Sequence, residues 1–90
     1  MNTISFHPRW REELVASCVE GRLIFELTMG RYHVYFPDEE RWEHTVPDWA
    51  RGRWKEFYEA CSNWCRQERI PITLEADALV YEEKTPGSGS

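Results

Sequence analysis

The sequence predicts a small α+β domain, in which an antiparallel β-meander or hairpin is covered on one face by a single long amphipathic helix. Three observations predict it: alternation of apolar and polar residues on both sides of Gly30, an apolar stripe with helical period over residues 47–69, and a β-rich segment over residues 72–82. A chain of 90 residues can bury one modest core. Residues 1–84 are therefore expected to form a single domain.

The two alternating segments, residues 22–29 and 31–36, predict a β-hairpin. We expect Gly30 and Arg31 to form a two-residue type II′ turn, because that turn needs glycine at its first central position. A slip of one residue would turn the apolar side chains of one strand toward water. The expected register places six apolar side chains on one face, as the pairs Phe25 with Phe36, Leu27 with Val34, and Met29 with Tyr32.

Residues 8–19 are compatible with a helix or with a strand. The helix would have Pro8 in its first turn and would stop at Gly21. A strand over residues 14–19 would join the hairpin through Glu20 and Gly21, so that the meander spans residues 14–36, with Cys18 opposite Leu23, Ala16 opposite Phe25, and Leu14 opposite Leu27. We favour the strand, because Val15 and Val19 would then cover Ile24 on the outer face of the sheet.

The long helix is predicted from seven apolar side chains that fall within an arc of about 120° at 100° per residue. They are Ala50, Trp54, Phe57, Tyr58, Cys61, Trp64 and Cys65. Residues 45–48 resemble a capping box that opens at Thr45, and Gly52 lies in the first turns, where glycine is least harmful. Pro71 ends the helix, because the residue before a proline avoids helical geometry.

Residues 72–82 predict a returning strand with a bend at residues 76–78, where the apolar alternation is lost. A helix over residues 74–83 is the alternative. The last residues, 85–90, are rich in glycine and serine and predict a flexible tail or an expression linker.

Charge and cysteine content narrow the classes of function. The formal net charge is −5, and residues 38–48 hold five acidic residues against one basic residue. Because phosphate neutralisation supplies most nucleic-acid affinity, this balance argues against a nucleic-acid partner. No segment approaches the roughly 18 apolar residues of a membrane span, so no membrane partner is expected. Three cysteines at irregular spacing indicate a reducing, cytoplasmic compartment.

Two groups of side chains suggest chemistry. Cys61 and Cys65 are four residues apart on the predicted helix, and together with a histidine they could bind a metal. Both also lie in the apolar stripe, where a free thiol packs as a small hydrophobe, and we favour that interpretation. Glu26 could approach His33 and Tyr35 on the outer face of the hairpin, which is the minimum for acid–base catalysis. No nucleophile or glycine-rich loop accompanies them, so we expect neither enzyme activity nor a cofactor.

A tryptophan within the acidic segment suggests a docking surface. Trp42 lies among Glu39, Glu40 and Glu43. Aromatic side chains dominate interface hot spots, and surrounding carboxylates would steer a basic partner. Trp49 lies outside the apolar stripe and would join Trp42 in an exposed patch. The alternative is that Trp42 folds back onto the core and Trp49 packs against the first turn of the helix.

The sequence therefore favours a small protein-interaction module, such as an inhibitor, an immunity factor or an adaptor. His33 and Tyr35, on the open face of the hairpin, form a second candidate surface. One alternative is a homo-oligomeric structural domain that pairs through an uncovered edge strand or sheet face. The other is a small metal-binding or catalytic domain that uses Cys61, Cys65 and a histidine.

Overall fold

A computed structural model describes residues 3–9 and 12–83 and confirms the α+β fold. Within these ranges it has six strands, two α-helices and one short 3-10 helix. The predicted tail at residues 85–90 lies outside the described residues. The strands are β1 (Ser5–Arg9), β2 (Glu13–Ser17), β3 (Arg22–Thr28), β4 (His33–Pro37), β5 (Ile72–Glu75) and β6 (Val80–Glu82). The helices are α1 (Glu39–Thr45) and α2 (Trp54–Glu68), with the 3-10 helix (Asp48–Ala50) between them.

All six strands form one mixed sheet. The order along it is β1-β2-β3-β4-β5, and β5 is parallel to β4 whereas the other neighbours are antiparallel. β6 is antiparallel to β3 and shares one edge of that strand with β4, because β4 pairs with residues 26–28 and β6 with residues 23–25. The connection over residues 76–79 must therefore pass the carboxyl end of β4.

The predicted hairpin register is confirmed at Leu27 and Val34, but the predicted turn is wrong, and the ladder contains neither the expected pair Phe25 with Phe36 nor the expected pair Met29 with Tyr32. Leu27 lies opposite Val34, as expected. The loop spans residues 29–32, and Gly30 does not have the positive φ that a type II′ turn requires. The Thr28 hydroxyl closes the loop instead by donating to the carbonyl oxygen of Arg31 at 2.9 Å.

The strand interpretation of the N-terminal region is confirmed, and the helix alternative is wrong. The register differs by two residues from the expected one, since Leu14 pairs with Phe25 and Ala16 with Leu23. The cause is a longer turn over residues 18–21, closed by a hydrogen bond of 2.9 Å from the Cys18 N–H to the Gly21 carbonyl. A shift of two leaves every side chain on its expected face.

The first part of the predicted long helix is wrong. Gly52 has φ +76, a left-handed conformation that a right-handed helix cannot contain, and α2 begins only at Trp54. The expected capping box at Thr45 does not form, because Thr45 is the last residue of α1. Asp38 caps α1 by accepting from the Arg41 N–H at 2.9 Å. The expected end is confirmed, since Arg69 closes α2 in the left-handed region.

The β-rich C-terminal segment is confirmed as strand, although it forms two strands rather than one. β5 and β6 are separated by a turn at Ala76 and Asp77, where the sequence predicts a bend. The alternative of a helix over residues 74–83 is wrong. Each strand pairs with a different neighbour, which explains why the apolar alternation changes at the turn.

The core lies between the inner face of the sheet and the helices, with the Trp42 side chain near its centre. The rings of Phe25, Phe36 and Trp42 lie within 15° of parallel, with centroids 4.8 to 6.1 Å apart. The Trp42 indole N–H donates to the Ala50 carbonyl at 2.8 Å, so its polar atom is satisfied inside the core. The Phe25 and Phe36 rings stack on each other, although Phe25 pairs in the ladder with Val80 of β6 and not with Phe36 as predicted.

Gly52 has the positive φ that the sequence predicts for Gly30, whereas Gly30 does not have it. Substitution of each glycine tests this difference. Gly52→Ala forces a side chain into the left-handed region and is expected to cost about 1 kcal/mol of unfolding free energy. Gly30→Ala is the matched control, because an added Cβ meets no atom within 4 Å and φ is not positive. We expect Gly30→Ala to be neutral or slightly stabilising in urea titrations. The reverse ranking would contradict the structure.

Candidate functional site

The described helices pack on one face of the sheet, which we call the inner face, and the opposite face is the outer face. The core cluster contains the inner residues of β2, β3 and β4 together with Trp42, Phe57 and Cys61 of the two helices. No described helix covers the outer face. A docking surface for another molecule is therefore to be sought on the outer face or at its rim.

The centre of the outer face is closed by the chain's own side chains. Val15 and Ile24 are register partners there, and both are fully buried. The Tyr81 hydroxyl, opposite Ile24 on β6, reaches across β3 and donates to the Glu13 carboxylate at 2.9 Å. The expectation that Val15 covers Ile24 is confirmed. The same expectation for Val19 is wrong, because Val19 is 84% exposed in the turn after β2.

Ion pairs hold in place the side chains that lie over the centre of the outer face. Arg9 contacts Glu13 at 2.6 Å and Glu83 at 2.7 Å, and Arg22 lies 3.7 Å from Glu83. The hydrogen bonds from Arg9 lower the pKa of both the Glu13 and the Glu83 carboxyl groups. Burial raises the pKa of the Tyr81 hydroxyl, and its bond to Glu13 adds to that shift. This network ties the first strand to the end of the last one.

Next to this ion-pair network, the outer side of β4 and β5 carries the second predicted surface. The rings of His33 and Tyr35 stack with centroids 4.4 Å apart and planes 10° apart. The His33 Nε2 atom lies 2.7 Å from the Thr73 hydroxyl, which joins the two strands. Both rings are partly exposed. We call His33, Tyr35 and Thr73 the aromatic corner.

The acid–base group that Glu26, His33 and Tyr35 could have formed is not assembled at this corner. Glu26 is the register partner of Tyr35, as the hairpin pairing predicts. Its carboxylate instead accepts a hydrogen bond of 3.4 Å from the Leu79 N–H, in the connection before β6. Because Glu26 makes no hydrogen bond to His33, it is not placed to act as a general base on the imidazole.

Four exposed carboxylates surround the carboxyl ends of β4 and β5. Pro37 and Glu75 are register partners at these ends, so the segments that follow both strands leave the sheet at the same place. Among the described residues, none of the four carboxylates has a hydrogen-bond or ion-pair partner. We call them the acidic rim: Glu39 and Glu40 of α1, Glu75 of β5, and Asp77 in the following turn.

The structure corrects the predicted role of Trp42. It is fully buried, so its side chain cannot contact a partner. The acidic segment forms a helix rather than a loop, and the helical period turns Trp42 inward while Glu39 and Glu40 face solvent. Glu43 is half-buried and accepts a hydrogen bond of 2.7 Å from the Gly52 N–H, so it belongs to the fold.

Trp49 does not join Trp42 in an exposed patch, so that expectation is also wrong. Its indole N–H donates to the Glu82 carboxylate at 3.1 Å, and its ring centroid lies 6.3 Å from that of Phe57. The Arg53 guanidinium lies 6.0 Å from the Trp49 ring. The side chain is half-buried and links the 3-10 helix to β6.

The two helical cysteines are core residues, as the favoured interpretation predicts. Cys61 and Cys65 are fully or almost fully buried, at 0% and 1% exposure. A hydrogen bond with Cys65 and burial both raise the pKa of the Cys61 thiol, so it stays protonated. Within the described ranges, no three His, Cys, Asp or Glu side chains converge in a way that could hold a metal ion.

Comparisons with protein-family models, with curated proteins and with solved structures gave no match for this chain. What the coordinates establish is the class of molecule: a small α+β domain with a tryptophan-rich aromatic core. None of the helices in the described part of the chain is long and apolar enough to cross a membrane.

The lowered pKa values predict how stability depends on pH. A carboxyl group whose folded pKa is depressed stabilises the fold above its ordinary pKa of 4.5 and loses that effect as pH falls through the folded value. Arg9→Gln should cost about 1 kcal/mol at pH 7 and flatten the decline of stability below pH 4.5, as measured by urea unfolding. Arg31→Gln is the control, because Arg31 is exposed and its guanidinium has no hydrogen-bond or ion-pair partner among the described residues. Parallel pH profiles for both variants would contradict the network.

Because Trp42 is buried in the core, we expect its substitution to lower the stability of the fold. Trp42→Ala should lower the free energy of unfolding by about 3–5 kcal/mol, because it leaves a cavity and removes the indole hydrogen bond to the Ala50 carbonyl. Tyr32→Ala, at a ring that is 43% exposed, should change it by less than about 0.5 kcal/mol. Chemical denaturation measures both. Equal stabilities would mean that Trp42 is not in the core.

Proposed function

We propose that this domain is a small protein-interaction module, of the inhibitor, immunity-factor or adaptor kind, which binds a basic partner protein in the cytosol. The observation that carries the proposal is the acidic rim beside the aromatic corner. The rim supplies the charge, and the stacked rings of His33 and Tyr35 supply a rigid aromatic contact. The cytosol is supported by the three free cysteines, Cys18, Cys61 and Cys65.

The charge balance of the surface supports a basic partner. Several arginines are engaged by carboxylates of the same chain: Arg9 by Glu13 and Glu83, Arg51 by Asp48, and Arg53 by Glu20 and Glu56. The carboxylates of the acidic rim have no such partner among the described residues. Free carboxylates in a chain of net charge −5 attract cationic groups and raise the rate of encounter with a basic surface.

The aromatic corner supports the proposal for a different reason. Stacking on Tyr35 and the contact with Thr73 restrict the His33 ring before any partner arrives. A side chain that is already ordered loses little rotamer entropy on binding. The aromatic corner also lies on the outer face, which no described helix covers. Thr73 and Glu75 are two residues apart on β5, so both side chains belong to this face.

Charge reversal with a matched control tests the proposal. The double variant Glu39→Lys/Glu40→Lys should weaken capture of a salt-sensitive partner from lysate at least 10-fold, as measured by quantitative mass spectrometry on immobilised protein. Glu59→Lys/Glu68→Lys makes the same change in charge at exposed carboxylates of α2 and should retain the partner. Equal retention by both variants, or capture that does not depend on salt, would refute the acidic rim as the binding surface.

A further inference from the structure

The outer edge of β5 is unpaired in the part of the chain that the structure describes. The Val34 N–H donates to the Pro71 carbonyl at 2.9 Å, and Val34 is the register partner of Ile72. In a parallel ladder with this register, the backbone groups of Thr73 and Glu75 point toward β4. The N–H and C=O groups of Ile72 and Leu74 therefore point away from the sheet, toward the open edge.

An apolar strip runs along the inner side of this edge. The Leu74 side chain is 43% exposed and is the register partner of Phe36. The Tyr58 ring lies 5.4 Å from the Phe36 ring and stacks on Trp54 at 5.1 Å, with the two planes 3° apart. The Trp54 indole N–H donates to the Pro37 carbonyl at 2.8 Å, which holds the aromatic pair beside the end of β4.

The outer side of the same edge is acidic. Glu75 is exposed at the carboxyl end of β5, and Asp77 follows it in the turn. Glu39 and Glu40, the other members of the acidic rim, lie at the start of α1, just after the carboxyl end of the neighbouring strand β4. β5 itself contains neither proline nor a basic residue, two of the devices that protect an edge strand from pairing. The opposite edge strand, β1, contains Pro8, and its Arg9 is engaged in ion pairs.

We propose that the edge of β5 accepts an extended, basic segment of a partner protein as an added strand. The backbone groups of Ile72 and Leu74 supply its hydrogen bonds, Leu74 receives its apolar side chains, and the acidic rim receives its Lys or Arg residues. A second copy of this chain is disfavoured as the occupant, because it brings the same net charge of −5. This inference rests on the proposed function and names its mode of binding.

The direct test uses synthetic peptides and the folded, ¹⁵N-labelled protein. The probe is a capped octapeptide of alternating Lys and Val, and the charge control is the same peptide with Glu in place of Lys. A third peptide carries N-methyl groups at alternate residues, which removes the donors along one edge of its strand. We expect only the first peptide to bind, with amide shifts and slowed hydrogen exchange centred on Ile72 and Leu74, and affinity at least 10-fold above that of the other two.

A substitution pair tests the same edge from the protein's side. Leu74→Pro removes an N–H that points away from β4, so the ladder to β4 is kept while one outward donor is lost. It should weaken binding of the Lys-Val peptide at least 10-fold, whereas Leu74→Val, which keeps the donor, should bind within 3-fold of the parent. If Leu74→Pro does not give a dispersed amide spectrum, the N-methylated peptide decides the question.

The outcomes separate this inference from the proposed function. Equal binding of the N-methylated and parent peptides, combined with loss of binding in Glu39→Lys/Glu40→Lys, would overturn strand addition and leave the acidic rim as a binding surface. Equal binding of the Glu-Val peptide, or no binding of the Lys-Val peptide, would overturn the strand proposal. A dimer in sedimentation equilibrium that Leu74→Pro dissociates would identify a second copy as the occupant and would also overturn it.

Discussion

The packing of the Trp42 ring against Phe25, Phe36 and Phe57 is the interaction on which the rest of the structure depends. Its ring centroid lies 6.1 Å, 5.9 Å and 5.2 Å from theirs, so one side chain joins two strands and both helices. A buried aromatic ring of this size contributes several kcal/mol to folding. The buried Trp42 anchors α1 to the core, and the helical period leaves Glu39 and Glu40 on the surface.

The same aromatic cluster lies where the sheet divides. β4 leaves β3 after the pair Glu26 and Tyr35, and β6 takes the vacated edge of β3. β4 is then free to pair with β5 in parallel, which brings Glu75 beside Pro37 and the start of α1. The acidic rim is thus a consequence of strand order, because its members lie far apart in the sequence and meet only at the ends of two parallel strands.

The two faces of the sheet differ in how completely their side chains find packing, hydrogen-bond and ion-pair partners within the chain. On the inner face, the apolar side chains pack together, and the Trp42 and Trp54 N–H groups donate to backbone carbonyls. At the centre of the outer face, Arg9, Glu13, Tyr81 and Glu83 satisfy one another and cover Val15 and Ile24. At the β4–β5 side, exposed carboxylates, an exposed leucine and outward backbone groups coincide, and interaction surfaces combine these features.

The sequence by itself determined the fold class, the hairpin register at Leu27 and Val34, the C-terminal end of α2 and the core position of Cys61 and Cys65. These features follow from local periodicity and from proline, which act within a few residues of the chain. Periodicity could not locate α1, because a helix of two turns with one buried residue gives no repeated apolar stripe. Nor did it reveal that Gly52 takes a left-handed conformation, in the turn between the 3-10 helix and α2.

Only the tertiary structure decided the pairing of β5 with β4, the sharing of the β3 edge and the burial of Trp42. Of the candidate site, the sequence singled out Glu39, Glu40, His33 and Tyr35, whereas Glu75, Asp77 and Leu74 carried no local signal. The physical reason is that alternation assigns a side chain to a face of its own strand but does not specify the neighbouring strand. That choice depends on non-local packing, which local patterns do not encode.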